Sequence, residues 1–244
     1  MPNKTSKKRV IVVLPALNAE KTLEDTVRDI SKDIVSEIIL VDDGSTDQTI
    51  ALAEKLNLTV YKHETNKGYG ANQKTCYKIA LEKKADIIVM IHPDYQYDAK
   101  VIKYLVGFIE EGYCDVMLGS RIRSRREAAK GGMPLYKYFS NRFLTFCENV
   151  LSGYNLSEWH TGMRAYKREV LENIDFKNNS DDFVFDTEVL FQIIEKGYDI
   201  GDIPVPVRYH SEASSINFKR SLTYGMLTLY TAIKFFLKKI ISRK

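Results

Sequence analysis

Residues 87–98 read IIVMIHPDYQYD, and this stretch decides how the rest of the chain is arranged. Its first five residues are an apolar, partly β-branched run, which is typical of a strand buried on both faces of a parallel sheet. The chain then becomes polar at His92 and Pro93. Because ligands of open α/β sheets bind beyond the carboxyl ends of the strands, a binding site is predicted at this junction.

Polar side chains follow the predicted strand at alternate positions, at His92, Asp94, Gln96 and Asp98. If the backbone stays extended there, these side chains share one face. Carboxylate and carboxamide oxygens suit Mg²⁺ or Mn²⁺, the usual partners of a diphosphate. A polar loop that caps the next helix is the other interpretation of the same residues.

The composition is that of an ordinary globular protein of 244 residues, 44% hydrophobic and 28% charged, with a net charge of +4. The three cysteines are odd in number and far apart, which predicts no disulfide framework and favours a reducing compartment. Lys and Arg collect in residues 121–130 and at the end of the chain. No aromatic platform is interleaved with these basic residues, so no nucleic-acid partner is expected.

Strands and helices alternate along the first half of the chain. The pattern predicts strands at 9–14, 37–41, 58–61 and 87–91, and helices at 19–33, 46–55 and 71–83. Asn18 is the expected N-cap of the first helix, and Pro15 is expected to end the first strand. Residues 66–70 are expected to form a flexible loop.

This alternation predicts βαβ units in an α/β protein, with a mostly parallel sheet flanked by helices. Right-handed crossovers bring the loops at 15–18, 42–47 and 92–98 together at one edge, which indicates a nucleotide-type ligand. The second half is less regular. It has predicted strands at 116–118 and 200–207, a helix at 134–151 and another within 182–196.

The last residues of the chain, 219–244, combine apolar side chains at helical spacing with lysines on the other side. The apolar positions are Met226, Leu229, Tyr230, Ile233, Phe236, Leu237 and Ile240. The longest uncharged stretch, 221–233, is too short to span a bilayer. A basic amphipathic helix is typical of a membrane interface, and packing on the domain's own core is the other interpretation. We therefore predict two units, an α/β domain at 1–215 and a C-terminal basic amphipathic helix at 216–244.

Six short motifs occur in order along the chain. They are LPALNAE at 14–20, VDDGSTD at 41–47, NKG at 66–68, PDYQ at 93–96, GSR at 119–121 and TGMRAY at 161–166. Together they resemble the family 2 glycosyltransferases of GT-A (Rossmann-like) fold, in the branch of the dolichol- and polyprenyl-phosphate mannosyltransferases. The resemblance implies a metal-dependent, inverting transfer of a sugar from a GDP- or UDP-sugar to a polyprenyl (dolichyl) phosphate. With the basic amphipathic helix at the end of the chain, we expect a cytoplasmic enzyme that associates peripherally with the membrane.

The resemblance assigns donor binding to three of the motifs. The residues are Pro15, Asn18, Glu20, Asp42, Asp43, Lys67 and Gly68. Asp42 would serve the ribose, and Asp43 would help to hold the base. Lys67 and the backbone N–H groups near Gly68 and Gly70 would approach the diphosphate. An Asx-type turn that caps a helix is the other interpretation of residues 42–47.

Asp94 and Gln96 match the metal ligands of this branch, with Mg²⁺ or Mn²⁺ as the cofactor. His92 stands where the branch usually has an aspartate. A histidine there is either a direct ligand, which favours Mn²⁺ over Mg²⁺, or a hydrogen-bonded structural residue.

The resemblance assigns the acceptor phosphate to Arg121, Lys137, Ser140 and Arg164, and counts Asp94, Arg121 and Arg164 as catalytic. Arg164 either binds that phosphate or pairs with an internal acid. Glu158 occupies a position usually held by aspartate.

Asp186 and Glu188 resemble an acidic pair near the acceptor. A phosphate monoester, with a second pKa near ~6, needs no strong base. A sugar hydroxyl would need one, and these two carboxylates are then the candidates. Transfer to a sugar hydroxyl and non-catalytic binding of a nucleotide sugar are the alternative functions.

Overall fold

The computed structural model describes residues 7–121, 135–208 and 218–241. Within them, strands are Val10–Ala16 (β1), Glu37–Asp42 (β2), Thr59–Lys62 (β3), Ile87–Ile91 (β4), Val116–Ser120 (β5), Met163–Lys167 (β6) and Ile200–Pro204 (β7). Helices are Leu23–Asp29 (α1), Thr49–Lys55 (α2), Tyr69–Glu82 (α3), Ile102–Glu110 (α4), Leu135–Ser152 (α5), Arg168–Asn173 (α6), Phe185–Glu195 (α7) and Phe218–Ile241 (α8). Short 3-10 helices lie at Ala99–Val101 and Phe176–Asn178.

The seven described strands form one sheet in the order β3-β2-β1-β4-β6-β5-β7. β1 is parallel to β2 and β4, β2 is parallel to β3, and β5 is parallel to β7. β6 runs antiparallel between β4 and β5. The predicted mostly parallel sheet flanked by helices is therefore confirmed, with one reversed strand that the sequence pattern did not reveal.

Both faces of the sheet are covered. In β1, Val10, Val12 and Leu14 pack on one side, while Ile11 and Val13 pack on the other. Every residue of β4 is buried, as its uninterrupted apolar run predicts. In the sheet, β2 and β3 lie on one side of β1, and β4 lies on the other side. The strand order therefore changes direction between β1 and β4. Ligands of open sheets bind at such a switch point.

The first strand and helix differ from their predicted bounds. β1 continues through Pro15, because its pairing with β4 ends at Val13 and only its pairing with β2 continues to Ala16. A proline, which lacks a backbone donor, is tolerated where one neighbouring strand has ended. α1 begins only at Leu23, after Thr22, whose side chain makes no capping hydrogen bond. The predicted N-cap role of Asn18 is therefore wrong.

Residues 66–70 are not the flexible loop that was predicted, since α3 already begins at Tyr69. Gly68 has φ +106°, and the Gly70 N–H donates to the Asp181 carbonyl at 2.8 Å. The start of α3 therefore packs against the backbone at 180–181, and only a residue without a Cβ fits there.

The C-terminal helix α8 packs against α5 and α7. Ala232 is buried in the core, and Phe235 packs against it. No helix in the described ranges combines the length and apolar character that crossing a membrane requires. The predicted boundary between residues 215 and 216 falls outside the described residues.

We expect Gly70→Ala to lower the free energy of unfolding by about 1–3 kcal/mol, because the new methyl group is forced into backbone. Its Cβ would lie 2.9 Å from both Asp181 C and Phe185 Cβ, and it would also clash with the Ser180 carbonyl oxygen. Gly107→Ala in α4 is the control, since nothing lies within 4 Å of that Cβ. The control should be neutral or stabilise the protein by up to about 1 kcal/mol. Urea unfolding of both variants measures the difference, and equal effects would contradict the packing described.

Candidate functional site

The loops that follow β1, β2 and β4 meet at the carboxyl edge of the sheet, as predicted. The first two are joined by side-chain hydrogen bonds. Asn18, at φ +51°, accepts from the Thr46 N–H at 2.9 Å, and its own N–H donates to Ser45 Oγ at 2.8 Å. Glu20 accepts from the Gln48 N–H at 2.8 Å. These two side chains, predicted to hold the donor, therefore hold the neighbouring loop.

Asp42 is fully buried at the end of β2. Its Oδ1 accepts from the N–H groups of Gly44 and Ser45, at 3.1 and 2.9 Å, which is the Asx-type turn foreseen in the sequence. Its Oδ2 has no hydrogen-bond partner among the described residues. A buried carboxylate oxygen left in this state favours a donor from a ligand, such as a hydroxyl group.

Asp43 is directed into the protein. Its Oδ1 lies 2.6 Å from His63 Nδ1 and accepts from the Lys67 N–H at 2.9 Å, and its Oδ2 accepts from the Gly68 N–H at 3.0 Å. Asp43 therefore holds the start of α3, and its contact with the donor base stays a prediction. The same bonds engage the backbone N–H groups of Lys67 and Gly68 that were predicted to approach a diphosphate. The Lys67 side chain is exposed and remains a predicted ligand.

The backbone does not stay extended after β4, so the predicted alignment of residues 92–98 on one face is wrong. The chain turns at Pro93 and Asp94, and Tyr95 has φ +54°. The turn is held because Tyr95 Oη donates to Asp29 at 3.1 Å and the Arg208 guanidinium lies 4.3 Å from the Tyr95 ring centre. Asp98 is turned away, toward the N–H of Lys100 and the side chain of Arg208.

Asp94 stays at the edge of the sheet, partly exposed, and its Oδ1 accepts from the Gln96 N–H at 3.1 Å. The Gln96 carboxamide oxygen lies 3.4 Å from Arg121 Nη1. Within the described ranges, no three His, Cys, Asp or Glu side chains are grouped as a metal site. A divalent cation held by one carboxylate, by diphosphate oxygens and by water needs no such group, so Asp94 fits that kind of site.

His92 belongs to a partly buried hydrogen-bond network. Its Nε2 lies 3.0 Å from Tyr69 Oη, which donates to Asp186 Oδ2 at 2.7 Å. Burial lowers the pKa of His92, so the imidazole is neutral at neutral pH. Because the Tyr69 hydroxyl hydrogen goes to Asp186, Nε2 carries the imidazole hydrogen and only Nδ1 has a lone pair for a metal.

Arg164 is fully buried in β6. Its guanidinium donates to the carbonyl oxygens of Thr161, Trp159 and Asp186 at 2.9, 3.0 and 3.1 Å. Its Nη2 also lies 3.6 Å from Asp186 Oδ2. These contacts agree with one of the two predicted alternatives, pairing with an internal acid, because no N–H group of the guanidinium reaches the surface.

Asp186 and Glu188 do not act as a pair. Asp186 accepts from Tyr69 and from Gln73 Nε2, the latter at 3.1 Å. Glu188 instead accepts from the Ser180 N–H at 2.7 Å. Residues two apart on a helix point in different directions, so the two carboxylates do not face one site together.

Arg121 is held by Glu158, which has no exposed surface. The Arg121 N–H and Nε donate to the Glu158 carboxylate at 2.6 and 2.8 Å, and Nη2 donates to it as well. Nη2 also donates to the His160 carbonyl at 2.5 Å. The guanidinium is therefore fixed in direction, with Nη1 toward Gln96.

Lys137, which is on α5, lies near Arg121. Burial lowers the pKa of Lys137, and the positive charge of Arg121 lowers it further. Ser140 lies one turn later on the same helix and is exposed. Arg123, Arg125 and Arg126, which belong to the basic cluster at 121–130, lie outside the described residues. Two cations side by side at this edge favour an anionic ligand, because an anion relieves their repulsion.

Sequence reasoning missed four residues that organise the site: His63, Tyr69, Gln73 and His160. Each of them acts through a partner far away in the chain, such as Asp43 for His63 and Asp186 for Tyr69 and Gln73. No local pattern marks them.

The sequence pattern of Glycosyl transferase family 2 matches residues 11–175. An uncharacterized protein of Methanocaldococcus jannaschii is 31% identical over 208 residues, covering 85% of this chain and 84% of the relative. The UDP-N-acetylglucosamine–dolichyl-phosphate N-acetylglucosaminyltransferase of Methanococcus voltae is 29% identical over 223 residues, covering 83% of this chain and 86% of the relative.

Among solved structures, the fold is similar to that of glucosyl-3-phosphoglycerate synthase from Mycobacterium tuberculosis in complex with Mn²⁺, UDP-glucose and phosphoglyceric acid. The TM-score is 0.70, at 20% sequence identity, and the match covers 94% of this chain and 80% of that one. At 20% sequence identity, the comparison shows a similar fold and nothing about the activity.

We expect Glu158→Gln to lower the free energy of unfolding by about 3 kcal/mol, because it leaves the Arg121 guanidinium without its buried counter-charge. Glu172→Gln is the control. Glu172 pairs with Arg168 on the surface of α6 at 2.6 Å, and such pairs contribute at most about 1 kcal/mol. Denaturant unfolding compares the two variants. Similar losses in both would show that the Glu158 contact stabilises the fold no more than a surface pair.

Proposed function

Because the chain belongs to glycosyl transferase family 2, in the branch of the dolichyl-phosphate sugar transferases, we propose that it moves a sugar from a nucleotide-diphosphate sugar to a polyprenyl phosphate. The observation that carries this proposal is the position of Arg121. It touches Gln96 in the loop after β4, and its charge acts on Lys137. Two anions, the donor diphosphate and the acceptor phosphate, must meet in such a reaction, and clustered cations make that approach favourable.

The reaction proposed is a single displacement with inversion. An oxygen of the acceptor phosphate forms a bond to the anomeric carbon, while the bond from that carbon to the diphosphate oxygen breaks. The nucleoside diphosphate leaves with the electron pair. Since the acceptor phosphate is largely ionised at neutral pH, with a second pKa near ~6, no proton has to be removed during the step.

The state of Asp186 supports a phosphate acceptor over a sugar hydroxyl. A hydroxyl acceptor needs a carboxylate that is free to take its proton. Asp186 is buried, accepts hydrogen bonds from Tyr69 and Gln73, and lies beside the Arg164 guanidinium. Glu188 is bonded to the Ser180 backbone. Neither side chain is arranged as a general base.

Donor binding is proposed at the carboxyl edge between β1, β2 and β4. The unpartnered Oδ2 of Asp42 suits a ribose hydroxyl, and the exposed Lys67 side chain suits the diphosphate. Asn18, Glu20 and Asp43 then support the site by holding its loops in place, and Pro15, near the end of β1, remains a proposed donor-binding residue. Whether the base is uracil or guanine is decided by the first experiment below.

Asp94 is the proposed protein ligand of Mg²⁺ or Mn²⁺, with the Nδ1 of His92 and the Gln96 carboxamide as further candidates. A bound divalent cation neutralises negative charge that develops on a departing diphosphate. The chain itself contributes by holding Asp94 in the turn stabilised by Tyr95, and by directing Arg121 along the same loop.

The first experiment incubates the protein with GDP- and UDP-sugars, Mn²⁺ or Mg²⁺, and a polyprenyl phosphate. We expect glycosyl transfer to the lipid phosphate, and a loss of about 100-fold in kcat/KM for Asp94→Asn, since such cation contacts are worth about 3 kcal/mol in the transition state. Asp98→Asn is the matched control in the same loop, because Asp98 contacts Arg208 and the Lys100 N–H.

Transfer by the wild type with equal activity in both variants would contradict the role of Asp94. Tight donor binding without transfer to any acceptor would show a nucleotide-sugar-binding protein. Transfer only to a sugar hydroxyl would identify the other alternative.

The proposed acceptor is a lipid, and the second part of the proposal is that α8 and α5 contact a membrane surface on the cytoplasmic side. On α8, one stripe faces solvent and is apolar: Leu222, Met226, Tyr230, Ile233, Leu237 and Ile241. The opposite side, with Thr228, Ala232 and Phe235, packs on the domain. Packing on the domain, one of the two predicted alternatives, is thus observed for one face, and the membrane interface is proposed for the other.

Helix α5 has an exposed apolar stripe of its own: Tyr136, Phe139, Phe143, Phe146 and Val150. α5 and α8 pack together, with Leu144 beside Gly225 and Lys239 Nζ donating to the Ser152 carbonyl at 3.1 Å. Exposed apolar surface of this extent is typical of a membrane or protein interface. Lysines at 234 and 238 flank the α8 stripe, and a lysine near an anionic leaflet contributes about 1 kcal/mol, which favours lipid.

We expect Tyr230→Ser with Leu237→Ser to weaken binding to anionic vesicles at least tenfold while the unfolding free energy stays nearly unchanged, because both side chains are exposed. Tyr113→Ser is the control, an aromatic residue 74% exposed just after α4. Vesicle co-sedimentation and analytical ultracentrifugation give the readout. A dimer in solution that the double variant dissociates, with no vesicle binding by the wild type, would show that the stripe joins two copies instead.

A further inference from the structure

Residues 158–161, here called the arginine clasp, hold both of the arginines predicted to bind the acceptor phosphate. The Glu158 carboxylate and the His160 carbonyl accept from Arg121. The Trp159 and Thr161 carbonyls accept from Arg164 at 3.0 and 2.9 Å. The position of this short segment therefore sets the direction of the Arg121 guanidinium.

The side chain of His160 reaches away from the arginines, toward the two helices that present apolar surface. Its Nδ1 lies 2.6 Å from Tyr224 Oη on α8. Its Nε2 lies 3.0 Å from Glu148 Oε2 on α5, although the two atoms are not aligned as a hydrogen bond. Glu148 has no exposed surface, and its Oε1 accepts from Thr187 Oγ1 on α7 at 3.4 Å.

His160 is thus the point where α5, α8 and Arg121 meet. The contact with Tyr224 lies on the face of α8 that packs on the domain, opposite the exposed apolar stripe. Because Tyr224 is on α8 and the His160 carbonyl binds Arg121, the short Nδ1 contact joins α8 to the backbone that holds Arg121. Displacements of about 1 Å at a positioned group are enough to change a reaction rate by about 100-fold.

We propose that His160 is a positioning residue that couples the seating of α8 on a lipid surface to the orientation of Arg121 toward the acceptor phosphate. This inference rests on the proposed function, because it assumes that Arg121 binds that phosphate and that α8 meets lipid. It adds that the two events favour each other. A water-soluble acceptor phosphate should then bind better when α8 is on a membrane, even if that membrane holds no acceptor.

The test measures transfer to a short-chain, water-soluble polyprenyl phosphate, with and without phosphatidylcholine–phosphatidylglycerol vesicles that contain no acceptor. In the wild type, vesicles should lower the acceptor KM about fivefold or more, with the donor KM unchanged. Tyr224→Phe removes only the hydroxyl group that contacts His160. It should reduce the vesicle effect to less than about twofold while vesicle binding and donor KM are retained.

Tyr113→Phe is the matched control, since the Tyr113 side chain is 74% exposed just after α4, outside the site and both apolar stripes. It should keep the full vesicle effect. Two substitutions of His160 separate its contacts: the amide of asparagine replaces Nδ1, and that of glutamine replaces Nε2. His160→Asn should therefore keep more of the vesicle effect than His160→Gln, and this pair decides the question if Tyr224→Phe does not fold.

A vesicle effect that persists in Tyr224→Phe would overturn the coupling, as would equal losses in Tyr224→Phe and Tyr113→Phe. A loss of donor affinity in Tyr224→Phe together with the loss of the vesicle effect would also overturn it, because a general structural defect lowers both. Wild-type transfer without any vesicle effect would overturn the coupling and leave the proposed function intact. No transfer to any polyprenyl phosphate, with or without vesicles, would overturn the proposed function itself.

Discussion

The arrangement of the site depends on a guanidinium that has no contact with solvent. Arg164 is fully buried in β6 and donates to three backbone carbonyl oxygens beside the Asp186 carboxylate. Removing a charge from water costs several kcal/mol unless partners replace the water. Those partners come from the loop before β6 and from the first turn of α7, so the pairing of Arg164 joins the reversed strand to both. Asp186 in turn orders Tyr69 and, through it, His92.

The polar loops at the carboxyl edge of the sheet stabilise one another before any ligand is bound. Asn18 and Glu20 bond to the loop after β2, and Asp43 bonds to the backbone that starts α3. Side chains used in this way are held in fixed positions, and a site built on them needs less ordering when a ligand arrives. The few polar groups that remain, such as Asp42 Oδ2, are then the ones suited to contact a ligand.

Helix α8 reverses the usual arrangement of an amphipathic helix on a globular domain, in which the apolar face is buried and the polar face meets water. Its buried side carries small and polar groups, Thr228, Ala232 and the Tyr224 hydroxyl, beside Phe235, while many of its bulky apolar residues are exposed. Hydrogen bonds and close packing hold such a helix in place, and its apolar stripe stays exposed. The same contacts lead through His160 to Arg121, which connects α8 to the site.

The sequence by itself determined the α/β class, the parallel order of the first strands and the edge where their polar loops meet. These features follow from local periodicity, since an apolar run such as residues 87–91 can satisfy its side chains only between two helical layers. The ordered motifs, from 14–20 to 161–166, further identified the family. The partners of the polar side chains were decided only by the tertiary structure. Asn18 bonds to Thr46 rather than capping α1, Asp43 bonds to His63, and Asp186 bonds to Tyr69 across more than a hundred residues of chain. Hydrogen bonds depend on distance in space and on direction, and a pattern along the chain contains neither.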